Sequence, residues 1–281
     1  MNYKEAYEFG VVNLTEAKIA EANLDARLLL EFVCGTTRNH LYVHGDMEVG
    51  HDEFERYLFL IKERQKHVPL QHLTGEQDFM GMTFKVNEHV LIPRQDTEVL
   101  VEEVLLHLHD GMKILDMCTG SGCILLSLLK YSNDCQGLGV DVSKDALAVA
   151  KHNREQLGMD ATFIHSNLFE NVEGKFDIIV SNPPYIESEV VKTLMEEVKD
   201  YEPHLALDGG ADGLDFYREI IAEAKKYLCR GGMLFFEIGY NQGQAVSDLL
   251  KEAGYLEVEV KKDLAGLDRV VYGIFVEEKH V

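Results

Sequence analysis

At 281 residues the chain is longer than one typical domain, and its 46% hydrophobic content can supply two cores. Its 49 Asp and Glu against 27 Lys and Arg leave a net charge of −22, a surplus that repels phosphate backbones and argues against a duplex-binding protein. No apolar run reaches 18 residues, and Met1-Asn2-Tyr3-Lys4-Glu5 lacks the basic start and apolar centre of a signal peptide, so a soluble, cytoplasmic protein with no membrane partner is expected. The five cysteines are odd in number and form no C-x-x-C pair, and the histidines show no H-E-x-x-H pattern. Free thiols and no metal site follow.

In chain order, residues 3–66 read as helices. Ala26, Leu29, Leu30 and Val33 recur at helical spacing, as do Phe54, Tyr57, Leu58 and Ile61. A helical bundle over 1–73 is predicted, with Asn39 to Gly45 as a turn and His40 and His44 facing solvent. Residues 74–93 carry Gly75, Gly81 and Pro93 around two β-like runs, 82–86 and 90–92, and read as a hairpin linker. From 94 to 281 strands (112–117, 136–141, 161–165, 175–181, 231–238, 255–261, 269–276) alternate with helices (97–109, 121–131, 143–157, 213–229, 241–253). That alternation predicts an α/β domain with a parallel-centred sheet and crossover helices. Residues 186–213 show no clear period. Their Glu187, Glu189, Glu196 and Glu197 form either a solvated face or part of a lid.

Two stretches of this second part carry chemistry. Lys113 to Met117 is an apolar strand running into Cys118-Thr119-Gly120-Ser121-Gly122, a small-residue loop in which glycine lets backbone approach a ligand closely. The dinucleotide fingerprint fails at Leu125, and no G-x-x-x-x-G-K-[ST] is present. The next strand ends in Asp141, placed either to accept from ribose hydroxyls or to cap the following helix, a task Ser143 could also perform. The loop therefore points to an adenosine ligand without a pyrophosphate. Downstream, the strand Phe176 to Ser181 meets Asn182-Pro183-Pro184-Tyr185. Two prolines cannot continue a hydrogen-bonded ladder, so the chain turns there, leaving the Asn182 side-chain oxygen and the Pro183 carbonyl as acceptors for an NH2 group.

Together with residues 69–76, Ile92-Pro93-Arg94-Gln95-Asp96-Thr97-Glu98, Tyr201-Glu202-Pro203, residues 206–214, Glu237-Ile238-Gly239 and residues 263–271, these motifs resemble those of the peptide chain release factor glutamine methyltransferases (the HemK/PrmC family). The resemblance spans nearly all of the chain from residue 69. It implies the class I S-adenosylmethionine-dependent methyltransferase fold, a seven-stranded, mostly parallel sheet whose last strand inserts antiparallel, behind a small N-terminal helical domain. It further implies transfer of a methyl group from S-adenosylmethionine to the glutamine of a release factor Gly-Gly-Gln motif. Cofactor binding would fall to Cys118, Thr119, Gly120, Ser121, Gly122, Asp141, Asn167, Leu168 and Asn182, and substrate binding and catalysis to Asn182, Pro183, Pro184 and Tyr185, with the Tyr185 ring against the substrate amide plane.

Three departures from the family pattern stand out. Cys118 replaces a usual glycine, tolerable if its φ is negative, and Gln95 replaces a proline. Asn167 stands where an acidic residue is usual, although its oxygen can still accept from an adenine amino group.

N-P-P-Y alone is shared with amino-methyltransferases of nucleic-acid bases, which is the alternative reading. A non-catalytic S-adenosylmethionine-binding protein would require a degraded glycine loop or a lost Asn182. Residues 1–73 carry 8 basic and 12 acidic side chains, leaving 19 and 37 in the remainder, so the acid surplus is spread along the chain. It suits a protein partner with basic patches, and the resemblance implies the class 1 release factors as that partner, with no nucleic acid bound directly. A monomer is expected. Solubility alone would also explain it. The helical segment 1–73 either docks the substrate or simply stabilises the fold.

Overall fold

The structure is a computed structural model describing residues 1–276; positions 277–281, the end of the expected catalytic domain, lie outside the described residues. The chain forms two compact units. The first comprises Met1–Glu76 together with Met195–Tyr201, the second Gln77–Leu194 together with Glu202–Val281.

The first unit is helical: α1 (Tyr3–Glu16), α2 (Ala22–Cys34), α3 (Arg38–Val43), α4 (His51–Arg64) and α5 (Leu70–Thr74). Asn2 starts α1 with a reciprocal cap, its side chain accepting from Glu5 N at 2.8 Å while Glu5 accepts from Asn2 N at 3.1 Å. Gly35, at φ 57°, ends α2 in the left-handed conformation glycine adopts without strain. Leu14, Ala26, Leu29, Leu30, Tyr57 and Ile61 lie in its core. On α4 it is Leu60, rather than Leu58, that completes the buried stripe. A Cβ at Gly10 would lie 1.9 Å from the Tyr57 hydroxyl, so only glycine lets α1 pass the fully buried ring, which donates to Ala26 O at 3.1 Å.

A turn was expected over residues 39–45; most of it belongs instead to the short helix Arg38–Val43, because Thr37 accepts from His40 N and caps it. The His40 and His44 rings lie 4.6 Å apart on this H-x3-H turn. Among the described residues no group of three His, Cys, Asp or Glu side chains could hold a metal ion.

The segment Met195–Tyr201 includes α10 (Glu196–Lys199), which follows α9 (Ser188–Val191). Buried Arg64 donates from Nε to Asp25 Oδ2 at 2.7 Å, from Nη1 to Val68 O at 3.2 Å and from Nη2 to Glu197 Oε2 at 2.7 Å. Tyr201 adds a hydrogen bond to Lys66 O at 2.7 Å. Glu197, read from sequence as part of a solvated face, is thus paired to a buried guanidinium. A charge left buried without its partner costs several kcal/mol, so this clamp fixes the segment.

The second unit opens on a hairpin of β1 (Glu76–Phe79) and β2 (Met82–Lys85). The expected partner of 82–86 was 90–92; the strand pairs backwards because Met80 and Gly81, at φ 49° and 68°, make a two-residue turn whose twist matches the strands. There follow α6 (Gln95–His107), β3 (Lys113–Met117), α7 (Cys123–Lys130), β4 (Gln136–Asp141), α8 (Lys144–Leu157), β5 (Thr162–His165) and β6 (Phe176–Ser181). After α9, α10 and a 3-10 turn at His204–Ala206 come α11 (Asp215–Ala224), β7 (Leu228–Glu237), α12 (Gly243–Glu252), β8 (Leu256–Lys262) and β9 (Asp268–Ile274). The helix expected to reach residue 229 stops at Ala224, since Leu228 already pairs with Phe176 of β6.

The seven-stranded sheet has the order β5-β4-β3-β6-β7-β9-β8, with β9 antiparallel to both neighbours and the remaining pairs parallel. Two buried clusters cover its faces, one built on α6, α7 and α8, the other on α11 and α12. Strand order reverses between β3 and β6, which places a crevice beyond their carboxyl ends, where ligands of open α/β sheets bind.

Candidate active site

Three strand ends meet at this crevice. Met117 pairs with Val140 on one side and Ser181 on the other, and the buried Ser181 hydroxyl donates to Met117 O at 2.8 Å. The loops after β3, β4 and β6 therefore leave the sheet side by side. They line a cleft of about 980 Å³, its open mouth included. Cys118, Thr119, Gly120, Ser121, Asp141, Asn167, Leu168, Asn182 and Pro184 all line it, joined by Leu91 and by Pro93, Arg94 and Thr97 of the 92–98 motif. Gly122, Pro183 and Tyr185 are not lining residues. Gly122 faces inward, where a Cβ would meet Phe163 at 3.0 Å and Ala150 at 3.3 Å.

The loop after β3 is wound by left-handed turns at Cys118 (φ 60°), Gly120 (φ 54°) and Gly122 (φ 79°). The negative φ expected for Cys118 is not found; the loop path that brings Thr119 N to Val140 O at 3.0 Å imposes the glycine-like conformation on a side chain that resists it. Burial, with Asp141 adding to it, pushes the Cys118 thiol well above its ordinary range, so it is a neutral thiol rather than a nucleophile. Cys118→Gly is expected to stabilise the fold. Removing a left-handed non-glycine residue returns about 1–2 kcal/mol, offset by about 0.5–1 kcal/mol of extra glycine entropy. Urea unfolding measures the difference, and a destabilised variant would mean that thiol packing outweighs the strain.

Around that loop, Thr119 turns inward and donates to Asp116 Oδ2 at 2.5 Å. Asp116 is fully buried, and desolvation pushes its carboxyl up to about 7. The buried Asn153 of α8 ties the loop to the hairpin, donating to Ser121 O at 2.9 Å and Lys85 O at 3.1 Å and accepting from Lys85 N at 2.7 Å. Asp141 accepts from Gly120 N at 2.9 Å and Ser143 N at 2.8 Å, one on each oxygen. It does not cap α8; Ser143 does, accepting from Ala146 N at 3.1 Å. Each Asp141 oxygen keeps a further lone pair for a ligand hydroxyl. Asn167 is exposed at the rim beside Leu168, whose φ is 48°.

Below the N-P-P-Y loop lies a polar network that the motifs hinted at only by position. Asn182 Nδ2 donates to Thr97 Oγ1 at 3.4 Å, and Tyr185 donates to Glu237 Oε1 at 3.3 Å. The Tyr185 ring thus points at this network. Burial pushes Glu237 up to about 7, against the pull of the Thr97 hydrogen bond and the Arg269 guanidinium. Arg269 is itself paired with Asp96 and Asp263, both at 3.0 Å.

Residues 5–75 match the PrmC N-terminal domain family, and residues 95–211 match the methyltransferase small domain family. A release factor glutamine methyltransferase of Clostridium acetobutylicum is 42% identical over 89% of this chain and 90% of its own length; one from Moorella thermoacetica is 41% identical over 96% and 97%. The chain belongs to the release factor glutamine methyltransferase family. The crystal structure of a methyltransferase from Pyrococcus furiosus matches with a TM-score of 0.55 at 18% identity, over 81% of this chain and all of that one, and shares the fold. This is the class I fold that the resemblance implied, and the family is S-adenosylmethionine-dependent.

The structure gives the 206–214 motif a physical role. Ile186 N donates to Leu207 O at 3.0 Å and Gly209 N to Ile186 O at 2.8 Å, so this segment lies directly along the N-P-P-Y exit. A Cβ at Gly209 would stand 2.7 Å from Tyr185 Cα and 2.8 Å from Pro184 O. Glu202 holds the other wall, pairing with Arg94 and accepting from Ile92 N at 3.3 Å. Thr97, Asn153, Glu237 and Arg269 were missed as site residues. Of these, only Asn153 lies outside the motifs quoted from sequence, and no local pattern marks it.

Proposed function

We propose that this chain transfers a methyl group from S-adenosylmethionine to the side-chain amide nitrogen of the glutamine in the Gly-Gly-Gln motif of peptide chain release factors. The observation that carries this reading is the orientation of Asn182. Its NH2 is committed to Thr97, so its oxygen is left to accept from a substrate amide in the same cleft as the glycine loop and Asp141. The residues present suit the cofactor: Asp141 offers acceptors for ribose hydroxyls, the loop is left-handed at Gly120 with open space where a Cβ would lie, and Asn167 offers an oxygen at the rim. When bound, the cofactor supplies an electrophilic methyl group on a sulfonium.

An amide nitrogen shares its lone pair with its carbonyl and is a poor nucleophile. Asn182 Oδ1 would hold one of its N–H groups and aim the lone pair at the methyl carbon; Pro183, whose carbonyl was expected from sequence to hold the other, does not line the cleft. Positioning of this kind can supply about 7–11 kcal/mol of a barrier. The carboxyls of Asp116 and Glu237 lie buried beneath the loops, and the proton is lost to solvent or to a backbone carbonyl after transfer.

The charge of −22 supports a protein partner over a phosphate-lined one. Incubating the protein with candidate release factors and methyl-labelled cofactor, followed by peptide mass analysis, tests the reading; label found on a DNA or RNA base and absent from the Gly-Gly-Gln glutamine would replace it with the nucleic-acid alternative. Asp141→Ala is expected to weaken cofactor binding by about 1.5–3 kcal/mol in calorimetry, through lost charge-assisted contacts. An unchanged dissociation constant would reduce Asp141 to an organiser of its own loop.

A flexible Gly-Gly-Gln loop offers little binding area, so a second contact on the helical unit belongs to this proposal. Tyr42 and Val43 of α3 are 68% and 71% exposed. A cut at residue 74 would strip Glu197 of Arg64, so substitution is the better test. Tyr42→Ala with Val43→Asp should lower kcat/KM on intact release factor by roughly tenfold, an expected ~1.4 kcal/mol, and leave the rate on a short Gly-Gly-Gln peptide unchanged.

A further inference from the structure

The N-P-P-Y loop cannot be tied down by donors in its own middle, because Pro183 and Pro184 carry no N–H. Its position depends on what grips its two ends. At one end Asn182 Nδ2 donates to Thr97 Oγ1 at 3.4 Å. At the other, the Tyr185 carbonyl accepts from Gln242 Nε2 at 3.0 Å, and the same NH2 donates to Gly213 O at 3.2 Å. Gln242 thereby fastens the loop exit to the 206–214 motif.

Gln242 stands at the start of α12 and is 8% exposed. A polar side chain there often caps its own helix, but that of Gln242 does not. It turns back toward the end of β7, where its Oε1 accepts from Gly239 N at 2.9 Å. The amide has one workable orientation. Both carbonyls can only accept and the Gly239 N–H can only donate, so a flipped amide would set oxygen against oxygen and N–H against N–H. A Cβ at Gly213 would stand 2.8 Å from Gln242 Nε2, and one at Gly239 would stand 3.0 Å from Oε1. Glycine at both positions lets the main chain close on the amide.

We infer that Gln242 is a positioning residue for methyl transfer, its amide clamping the exit of the N-P-P-Y loop to the 206–214 segment so that Asn182 is held in a fixed place in the cleft. The inference rests on the proposed function and deepens it. Gln242 does not itself line the cleft, so it acts through the Tyr185 carbonyl. Gln242→Met keeps the side-chain length and deletes both donors. Gln242→Glu keeps an acceptor for Gly239 N but turns a second oxygen on the carbonyls of Tyr185 and Gly213. Gln244→Met makes the same chemical change at an exposed position of α12, where the Gln244 NH2 donates to Asp248 at 2.8 Å, and is the matched control.

In the full-length protein, Gln242→Met and Gln242→Glu are each expected to lower kcat on release factor about 30-fold, as a displaced positioning group does. The cofactor dissociation constant and the KM for release factor should stay within threefold, and Gln244→Met should match wild type. A second readout needs no turnover. The Ile186 and Gly209 amides, which donate to Leu207 O and Ile186 O along the loop exit, should exchange slowly by NMR in wild type and at least tenfold faster in both Gln242 variants, with the amides of β3 and β4 unchanged. A Gln242→Met enzyme that turns over normally overturns the inference while leaving the proposed function standing, as does a loss that appears in cofactor affinity instead. Faster exchange spread through β3 and β4, or failure of both variants to fold, would make Gln242 a general stabiliser and overturn it as well. Rapid exchange of Ile186 and Gly209 in wild type overturns it whatever the substrate. Wild-type protein that protects these amides yet labels no release factor glutamine would count against the proposed function alone.

Discussion

Asn182→Ala should reduce kcat/KM on release factor by about 10³-fold or more, a loss of ~4 kcal/mol, while cofactor affinity stays within tenfold of wild type. The asymmetry follows from where the side chain sits. Asp141 and the left-handed loop around Gly120 line the part of the cleft proposed for the cofactor, whereas Asn182 lines it from the end of the neighbouring strand β6, with its NH2 tied to Thr97. Truncation removes the acceptor that orients a weak nucleophile, and orientation is the effect on which this reaction depends. It also leaves the Thr97 hydroxyl without its Asn182 donor, a smaller stability cost of about 1 kcal/mol. Steady-state kinetics together with calorimetry separates the two quantities. Turnover above a tenth of wild type would remove Asn182 from its assigned role.

Gly209→Ala is the second large effect, and it acts on the main chain of the N-P-P-Y loop rather than by removing a side chain that meets the substrate. The added methyl would stand 2.7–2.9 Å from Tyr185 Cα, Pro184 O and Tyr185 C, all of them backbone atoms that cannot rotate away. Relief has to come from a shift of the N-P-P-Y main chain itself. Displacements approaching 1 Å in a positioned site cost on the order of 10²-fold, and overpacking of this kind costs about 1–3 kcal/mol of stability. The expected result is a kcat lowered roughly 10²-fold with an unchanged cofactor dissociation constant. Gly174→Ala is the matched control. Its φ of 93° makes the substitution strained, but no atom lies within 4 Å of the added carbon, so stability should drop and the rate should hold. Equal rates for Gly209→Ala and wild type would show that the loop tolerates the displacement.

Local chemistry made much of this protein legible before any coordinates. Paired prolines after an apolar run must end a strand, so the Asn182 loop had to lie at a strand terminus. Alternating strands and helices dictate parallel crossovers, which bring the ends of β3, β4 and β6 to one edge and thereby gather Gly120, Asp141 and Asn182. The amphipathic spacing of Ala26, Leu29, Leu30 and Val33 fixed the buried face of α2.

Other features were settled only in three dimensions. Met80-Gly81 carries no strong turn signature, because the first of its two left-handed residues is not glycine, so the hairpin register emerged only from the fold. Cys118 adopts φ 60° because the loop path requires it, whatever the side chain prefers. Glu197 looked like one more surface acid until the fold placed it on Arg64, 133 residues away in sequence. Thr97 meets Asn182 across 85 residues, and Tyr185 meets Glu237 across 52. Sequence spacing governs contacts within one helix or strand, whereas hydrogen bonds and ion pairs between elements depend on distances that the packing of the sheet and its helices alone sets.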